Sequence, residues 1–214
     1  MTVHGAQFQY RQIGSYTAMG HFLVDAGRGE EALPYYRKVV ALKGDSADAW
    51  TSLGAGLMDT GHTEEAEAAF RRSLEIQPTV FAWANLGEIY FGTRMTEAVN
   101  AFREAARLAP DMYWTWGELA EAAAFIAGEE ALARDSLLRA IDLAERATAA
   151  TPADARLHAD LARYLSQAGR IEEALNSAER AAELARAIDG DHGDLKAAAL
   201  AFAARAIANN MPLA

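Results

Sequence analysis

Apolar residues return along this chain at spacings of three and four, and one order of large and small residues recurs roughly every 34 positions. The clearest instance reads Trp83-x2-Leu86-Gly87-x2-Tyr90, then Ala98-x3-Phe102, then Pro110. One period earlier stand Trp50, Leu53, Gly54 and Leu57, followed by Ala66, Phe70 and Pro78. Spacings of three and four place such residues on one face of a helix. Each period therefore predicts two helices, A and B, with a glycine turn between them and a proline or glycine after the second.

Read this way, residues 1–12 form an N-terminal segment and five helix pairs follow, at 13–46, 47–79, 80–112, 113–154 and 155–192. The first pair uses Tyr16, Met19, Gly20 and Leu23, then Ala32, Tyr36 and Val39. Pro34 lacks the N–H that a helix interior needs, so a kink or a late start of the second helix is expected there. The third pair has one residue fewer between Tyr90 and Ala98, which predicts a tighter turn at Gly92 and Thr93. The fourth begins with Trp116, Leu119 and Ala120, and its second helix continues through Ile141 and Ala144 to Pro152, several residues too far. The fifth keeps Leu161, Ala162, Leu165 and Ala174 but reads as having lost the aromatic knobs. A final helix within 193–214 carries Leu195, Leu200, Phe202 and Ile207 with little polar face, which suits a cap or a self-association surface.

The order Trp-Leu-Gly-Tyr, Ala-Phe, Pro resembles the tetratricopeptide repeat. The positions that carry the likeness are Trp50, Gly54, Ala66, Pro78, Trp83, Gly87, Ala98, Pro110 and Trp116. The resemblance implies an all-α, right-handed α-solenoid of about five helix pairs, closed by the C-terminal helix, as one continuous domain. It also implies a groove lined by the A helices that takes a partner peptide or helix. Carried over residue by residue, that groove holds His21, Met58, Phe81, Glu88, Phe91, Trp114, Glu121, Phe125, Arg156 and Arg163. Its centre is aromatic with two carboxylates, so an apolar segment whose basic residue meets Glu88 and Glu121 is the expected ligand. The lysine and asparagine positions that chaperone-binding repeats use for a terminal carboxylate hold other residues here, Asn85 excepted. A stretch from Trp83 to Asp154 also resembles repeat segments of bacterial signalling proteins, through Asn85-Leu86-Gly87, Trp116-Gly117-x-Leu119-Ala120 and Pro152-x-Asp154. The implied role is a non-enzymatic scaffold or adaptor. The alternative is a sensor that binds a small ligand among the same aromatics and relays it to a partner protein.

Composition narrows this further. Half of the residues are apolar, with alanine foremost, and β-branched alternation is scarce, so no sheet is expected. A net charge of −10 opposes nucleic-acid binding, which is driven mainly by phosphate contacts with cations. The start of the chain has no basic and apolar leader and no stretch is apolar enough to span a bilayer, so a cytoplasmic protein without membrane contact is expected. Cysteine is absent, which removes disulfides and thiol chemistry.

No cofactor, metal or catalytic residue is expected. Asp189, Asp191, His192 and Asp194 read as a solvated loop, because the later bidentate carboxylate of a calcium loop is missing. His21, His62 and His158 fall on different repeats without a ligand spacing. The pairs Glu30-Glu31, Glu64-Glu65, Glu129-Glu130 and Glu172-Glu173 open successive B helices, where the helix dipole favours acids.

Overall fold

The computed structural model describes the backbone of residues 3–189 and the side chains of residues 11–186. Among the described residues there are ten α-helices and no strand: the chain is an all-α helical-repeat solenoid. The helices are α1 (Val3–Asp25), α2 (Gly29–Leu42), α3 (Ala47–Asp59), α4 (Thr63–Ile76), α5 (Val80–Tyr90), α6 (Met95–Leu108), α7 (Tyr113–Ala124), α8 (Glu130–Ala150), α9 (Ala155–Gln167) and α10 (Ile171–Asp189). The chain divides after Leu108 into two compact units, α1–α6 and α7–α10. α1 already begins at Val3, upstream of the Ile13 start read from the pattern.

In the first unit each helix packs on the next in chain order. Every A/B pair is closed by one glycine against one aromatic. A Cβ on Gly20, Gly54 or Gly87 would lie 2.6 Å from Tyr36, 2.6 Å from Phe70 or 2.5 Å from Phe102, respectively, so only glycine lets the ring lie on the backbone. Ala32, Ala66 and Ala98, one turn before each ring, are fully buried for the same reason: the facing helices leave room for a methyl group and nothing larger. Burying a ring such as Phe70 or Phe102 contributes about 1.5–3 kcal/mol.

The two kinds of helix start by different means. Three of the A helices are capped by side chains, α7 after Met112 being without one: Ser46 accepts from the Ala49 N–H, Thr79 from Ala82, and Asp154 from both Arg156 and Leu157. B helices follow glycine turns directly. Gly27, Gly61 and Gly169 take positive φ, and the next residue's N–H reaches back five residues, from Arg28 to Leu23, His62 to Leu57 and Arg170 to Leu165. The residue after the glycine has no side-chain cap to offer (Arg28 and His62 make none), so first-turn glutamates take over. Glu31 holds Arg28 at 2.6 Å and Glu173 holds Arg170 at 2.5 Å, both in the same three-residue spacing. Glu130 accepts from the Gly128 N–H. The repeated acids are thus structural parts of the turn.

Two local expectations need correction. α2 starts at Gly29, immediately after the turn, and Pro34 lies inside it, so there is no late start; Pro34 is exposed, on the face turned away from the α1 contact. The residue missing from the third pair is not taken from the turn. α5 ends early, at Tyr90, and the connection through Gly92 is longer than the one through Gly61. The fifth pair keeps no aromatic at the places of Trp83, Tyr90 and Phe102, which hold His158, Leu165 and Ala178; Tyr164 is fully buried at another position and packs on α7.

The second unit closes differently. α8 is a 21-residue helix, against 14 for α2, α4 and α6. It packs on α7 and α9 through Ala140, Ile141 and Ala144, which share a core with Leu161, Tyr164, Leu165 and Ala174. At the register of Phe70 and Phe102 it carries Leu137, so no aromatic comes from the B helix. A ring is buried at a different place: Tyr164 of α9 lies on Gly117 of α7, one turn before Ala120, which holds the place of Gly87. The final helix expected within 193–214 lies outside the described residues, as do Asp191, His192 and Asp194.

Candidate functional site

The A helices carry the expected groove positions in both units. In the first unit these are His21 on α1, Met58 on α3, and Phe81, Glu88 and Phe91 on or just after α5. Phe81 and Glu88 are exposed, and Met58 and Phe91 are half-buried. Phe81 leaves 58% of its surface to solvent, which is unusual for a large apolar side chain on a helix whose neighbouring positions, Ala82 and Ala84, are buried. His21 lies beside the Tyr36 ring, at 5.9 Å between centroids.

Acidic groups crowd the same face. Glu88 is solvent-accessible yet sits among neighbouring atoms that shed water from it. Its carboxyl is pushed above the ordinary carboxylate range, first by burial and then by the charge of Asp59. Tyr36 is raised by its own burial and next by Asp59 and Asp25, so both aspartates point toward the same region. An open depression of ≈ 650 Å³ adjoins it, lined among others by Val24, Glu30, Glu31, Asp59 and Thr60.

In the second unit the register positions meet one another. Arg163 on α9 reaches Glu121 at 3.0 Å and Glu118 at 3.6 Å on α7. Its guanidinium lies 4.6 Å from the centre of the Tyr164 ring and donates to the Tyr164 hydroxyl at 3.0 Å. Tyr113 donates to Asp160 at 2.8 Å and stands edge-on to Tyr164. Burial raises both phenols, in Tyr113 with help from the Asp160 bond. Within the second unit, Glu121 is thus already held by Arg163. Trp114 is half-buried, Phe125 is 69% exposed at the end of α7, and Arg156 is exposed on the first turn of α9.

The repeat positions fall where packing needs them. Trp50 and Trp116 are half-buried and donate their indole N–H to the carbonyls six residues earlier, Gly44 and Pro110, each at 2.9 Å. Trp83 occupies the same register, but its N–H is buried without an acceptor. The connection before α5 (77–79) is one residue shorter than those before α3 (43–46) and α7 (109–112), so no carbonyl stands at the same place.

A network that sequence reading missed lies on the other side of the first unit. Glu67 takes Arg94 in two bonds, 2.7 and 3.2 Å, together with Arg71 and the Tyr90 hydroxyl, and Arg94 lies 3.9 Å from the centre of the Tyr90 ring. Its carboxyl is held below the ordinary range, chiefly by Arg94. Glu67 and Arg94 stand 27 residues apart on separate repeats, and no local motif joins them.

No group of residues suited to a metal ion occurs among the described residues. Of the histidines with described side chains, His62 bonds Thr60 and His158 meets the Pro152 carbonyl. No described helix is long and apolar enough to cross a membrane.

Two family models, each described as a tetratricopeptide repeat, match residues 23–88 and 159–192. No curated protein matches the chain in sequence. Among solved structures, a thermophilic repeat protein of Thermus thermophilus, TTC0263, aligns at TM-score 0.66 and 19% identity, over 89% of this chain and 98% of that one. Pseudomonas aeruginosa PilF aligns at 0.59 and 17%, over 94% and 91%. MamA (residue 41 to the end) of Desulfovibrio magneticus RS-1 aligns at 0.51 and 18%, over 84% and 98%. At these identities the likenesses speak for the fold. Together with repeat matches in both units and the glycine–aromatic closure of each early pair, they identify the chain as a tetratricopeptide repeat protein.

Proposed function

We propose that this chain is a non-enzymatic protein-interaction scaffold whose A-helix face in the first unit holds a segment of a partner protein. The fold favours that role in general, since proteins of this repeat family are generally non-catalytic scaffolds. The observation that carries the reading here is the exposed Phe81, on the same A helix as Glu88, with Phe91 just after that helix and Met58 at the corresponding place of the preceding A helix. A rigid platform that keeps a large ring in water suits anchoring a partner, because buried aromatics dominate binding energy at interfaces. Trp114, Phe125 and Arg156 occupy the corresponding register of the second unit and are assigned to the same role there.

A photo-crosslinking residue at Phe81, introduced into the full chain in its native cells, tests this. It should capture a protein that the same residue at Arg72, on the outer surface of α4, does not. Equal capture at both positions, or none at Phe81, would reject the reading.

A further inference from the structure

The partner's chemistry can be read from the charges around the apolar positions of the first unit, and this step rests on the scaffold reading above. Most exposed acids on the B helices of that unit are already answered. Glu31 holds Arg28, Glu65 meets Arg37, Glu67 holds Arg71 and Arg94, and Glu75 holds Arg72. Asp25, Asp59 and Glu88, at the ends of α1, α3 and α5, enter no ion pair among the described residues. They belong to three successive A helices, and Glu88, whose carboxyl is raised chiefly by burial, is raised further by the charge of Asp59. The adjoining depression is lined by further acids, and its single arginine, Arg28, is spent on Glu31.

The second unit displays the complement of this arrangement. Glu121 follows Ala120 as Glu88 follows Gly87, so the two glutamates hold the same register position. Glu121 receives a guanidinium from within the chain, Arg163, backed by a tyrosine ring. In the first unit the same register reads His21, Ala55 and Glu88, and none of these brings a guanidinium to the face. Apolar side chains flank it, with Met58 preceding Asp59 and Phe91 one turn after Glu88.

We propose that the segment seated on this face is cationic, presenting an arginine or lysine to Glu88, Asp59 and Asp25 and an apolar side chain to Met58, Phe81 and Phe91. Charge complementarity selects that occupant. An acidic or phosphate-bearing partner would add like charge to carboxylates that already repel, whereas a guanidinium would relieve the repulsion and gain charge-assisted hydrogen bonds. The apolar positions supply anchoring, and the carboxylates decide which segments are accepted.

The test is to pan a displayed library of random-sequence peptides against the full chain and to measure the enriched peptides against three variants. Enrichment of peptides that combine Arg or Lys with a large apolar residue is expected. Glu88→Gln combined with Asp59→Asn should weaken them about tenfold or more, as loss of a charge-assisted contact does. Phe81→Ala should weaken the same peptides, with circular dichroism unchanged because all three positions lie on the surface. Peptides that lose binding with Phe81→Ala but carry no cation and ignore the carboxylate variant would overturn the cationic partner and leave the binding face standing. Peptides indifferent to Phe81→Ala, or no enrichment at all, would overturn the binding face and this inference with it. A Glu121→Gln control should leave binding unchanged; a loss equal to that of the Glu88 variant would contradict the assignment to the first unit.

Discussion

The two units bury their aromatic rings in different places. In the first, each aromatic ring comes from the B helix of its own pair and lies on a glycine of the A helix, as Phe102 does on Gly87. In the second, Ala120 and Leu137 take the places of Gly87 and Phe102, and the buried ring lies between successive A helices instead, Tyr164 of α9 on Gly117 of α7. The charges follow suit. Among the described residues, the first unit gives Asp25, Asp59 and Glu88 no ion pair, while the second spends Arg163 on Glu118 and Glu121. A side chain that crosses between successive A helices, as Arg163 does, ties them together and uses up groups that could otherwise meet a partner. Where the B helix supplies the knob, the A-helix face stays open.

The largest effects should come from the glycine–aromatic contacts. Gly87→Leu and Gly117→Leu should each cost about 1–3 kcal/mol by overpacking, measured by denaturant titration. The sharper test is coupling. Phe102→Leu should partly rescue Gly87→Ala, and Tyr164→Leu should partly rescue Gly117→Ala, while the crossed pairs add independently. Coupling in the crossed pairs would remove the distinction between the units.

A smaller contrast concerns the tryptophans. Trp50→Phe and Trp116→Phe each lose an indole hydrogen bond as well as ring area. Trp83→Phe loses ring area but also removes a buried donor that has no acceptor. Trp83→Phe should therefore be milder than the other two by about 1 kcal/mol. Equal losses at all three would show that the Trp83 N–H is satisfied.

The smallest effect is electrostatic and has opposite signs in the two units. The folded protein raises the Glu88 carboxyl, so Glu88 favours folding at acid pH, and that contribution is lost as pH rises through its folded value. Glu88→Gln should raise the melting temperature at neutral pH, and the gain should vanish in acid. Glu121→Gln breaks the pair with Arg163, which is only partly shielded from solvent, and should lower stability at neutral pH by roughly 0.2–1 kcal/mol. A fall with Glu88→Gln at neutral pH would mean that a cation of the protein serves that carboxylate.

Much of the fold was legible because the repeat writes its contacts at fixed spacing. Gly54 and Phe70 sit sixteen residues apart, Gly87 and Phe102 fifteen, and each spacing names both partners of one contact. The long α8 was equally plain, since apolar spacing ran on until Pro152. Of the expected surface, exposed Phe81 and Phe125 stood out as large apolar residues that the pattern did not need. Glu121 and Arg163 also appeared among the expected positions, but as parts of an open surface. Their pairing could not be read, because it depends on the rotation that places α9 against α7, 42 residues along the chain. Pro34 and the Gly92 turn misled for a related reason. Local chemistry suggested breaking or tightening, whereas the packing of α2 and the early end of α5 absorbed the irregularity.

The sequence alone determined the helix pairs, their glycine turns, the small-and-aromatic contacts within a pair and the residues that face away from the core. All of these depend on spacing along one or two adjacent helices, where geometry is set by 3.6 residues per turn. Only the tertiary structure decided which helix supplies the ring for Gly117, which carboxylates are neutralised and which indole is left without an acceptor. Those outcomes turn on distances of a few tenths of an ångström between repeats. A connection shortened by one residue, as before α5, changes them without changing the pattern.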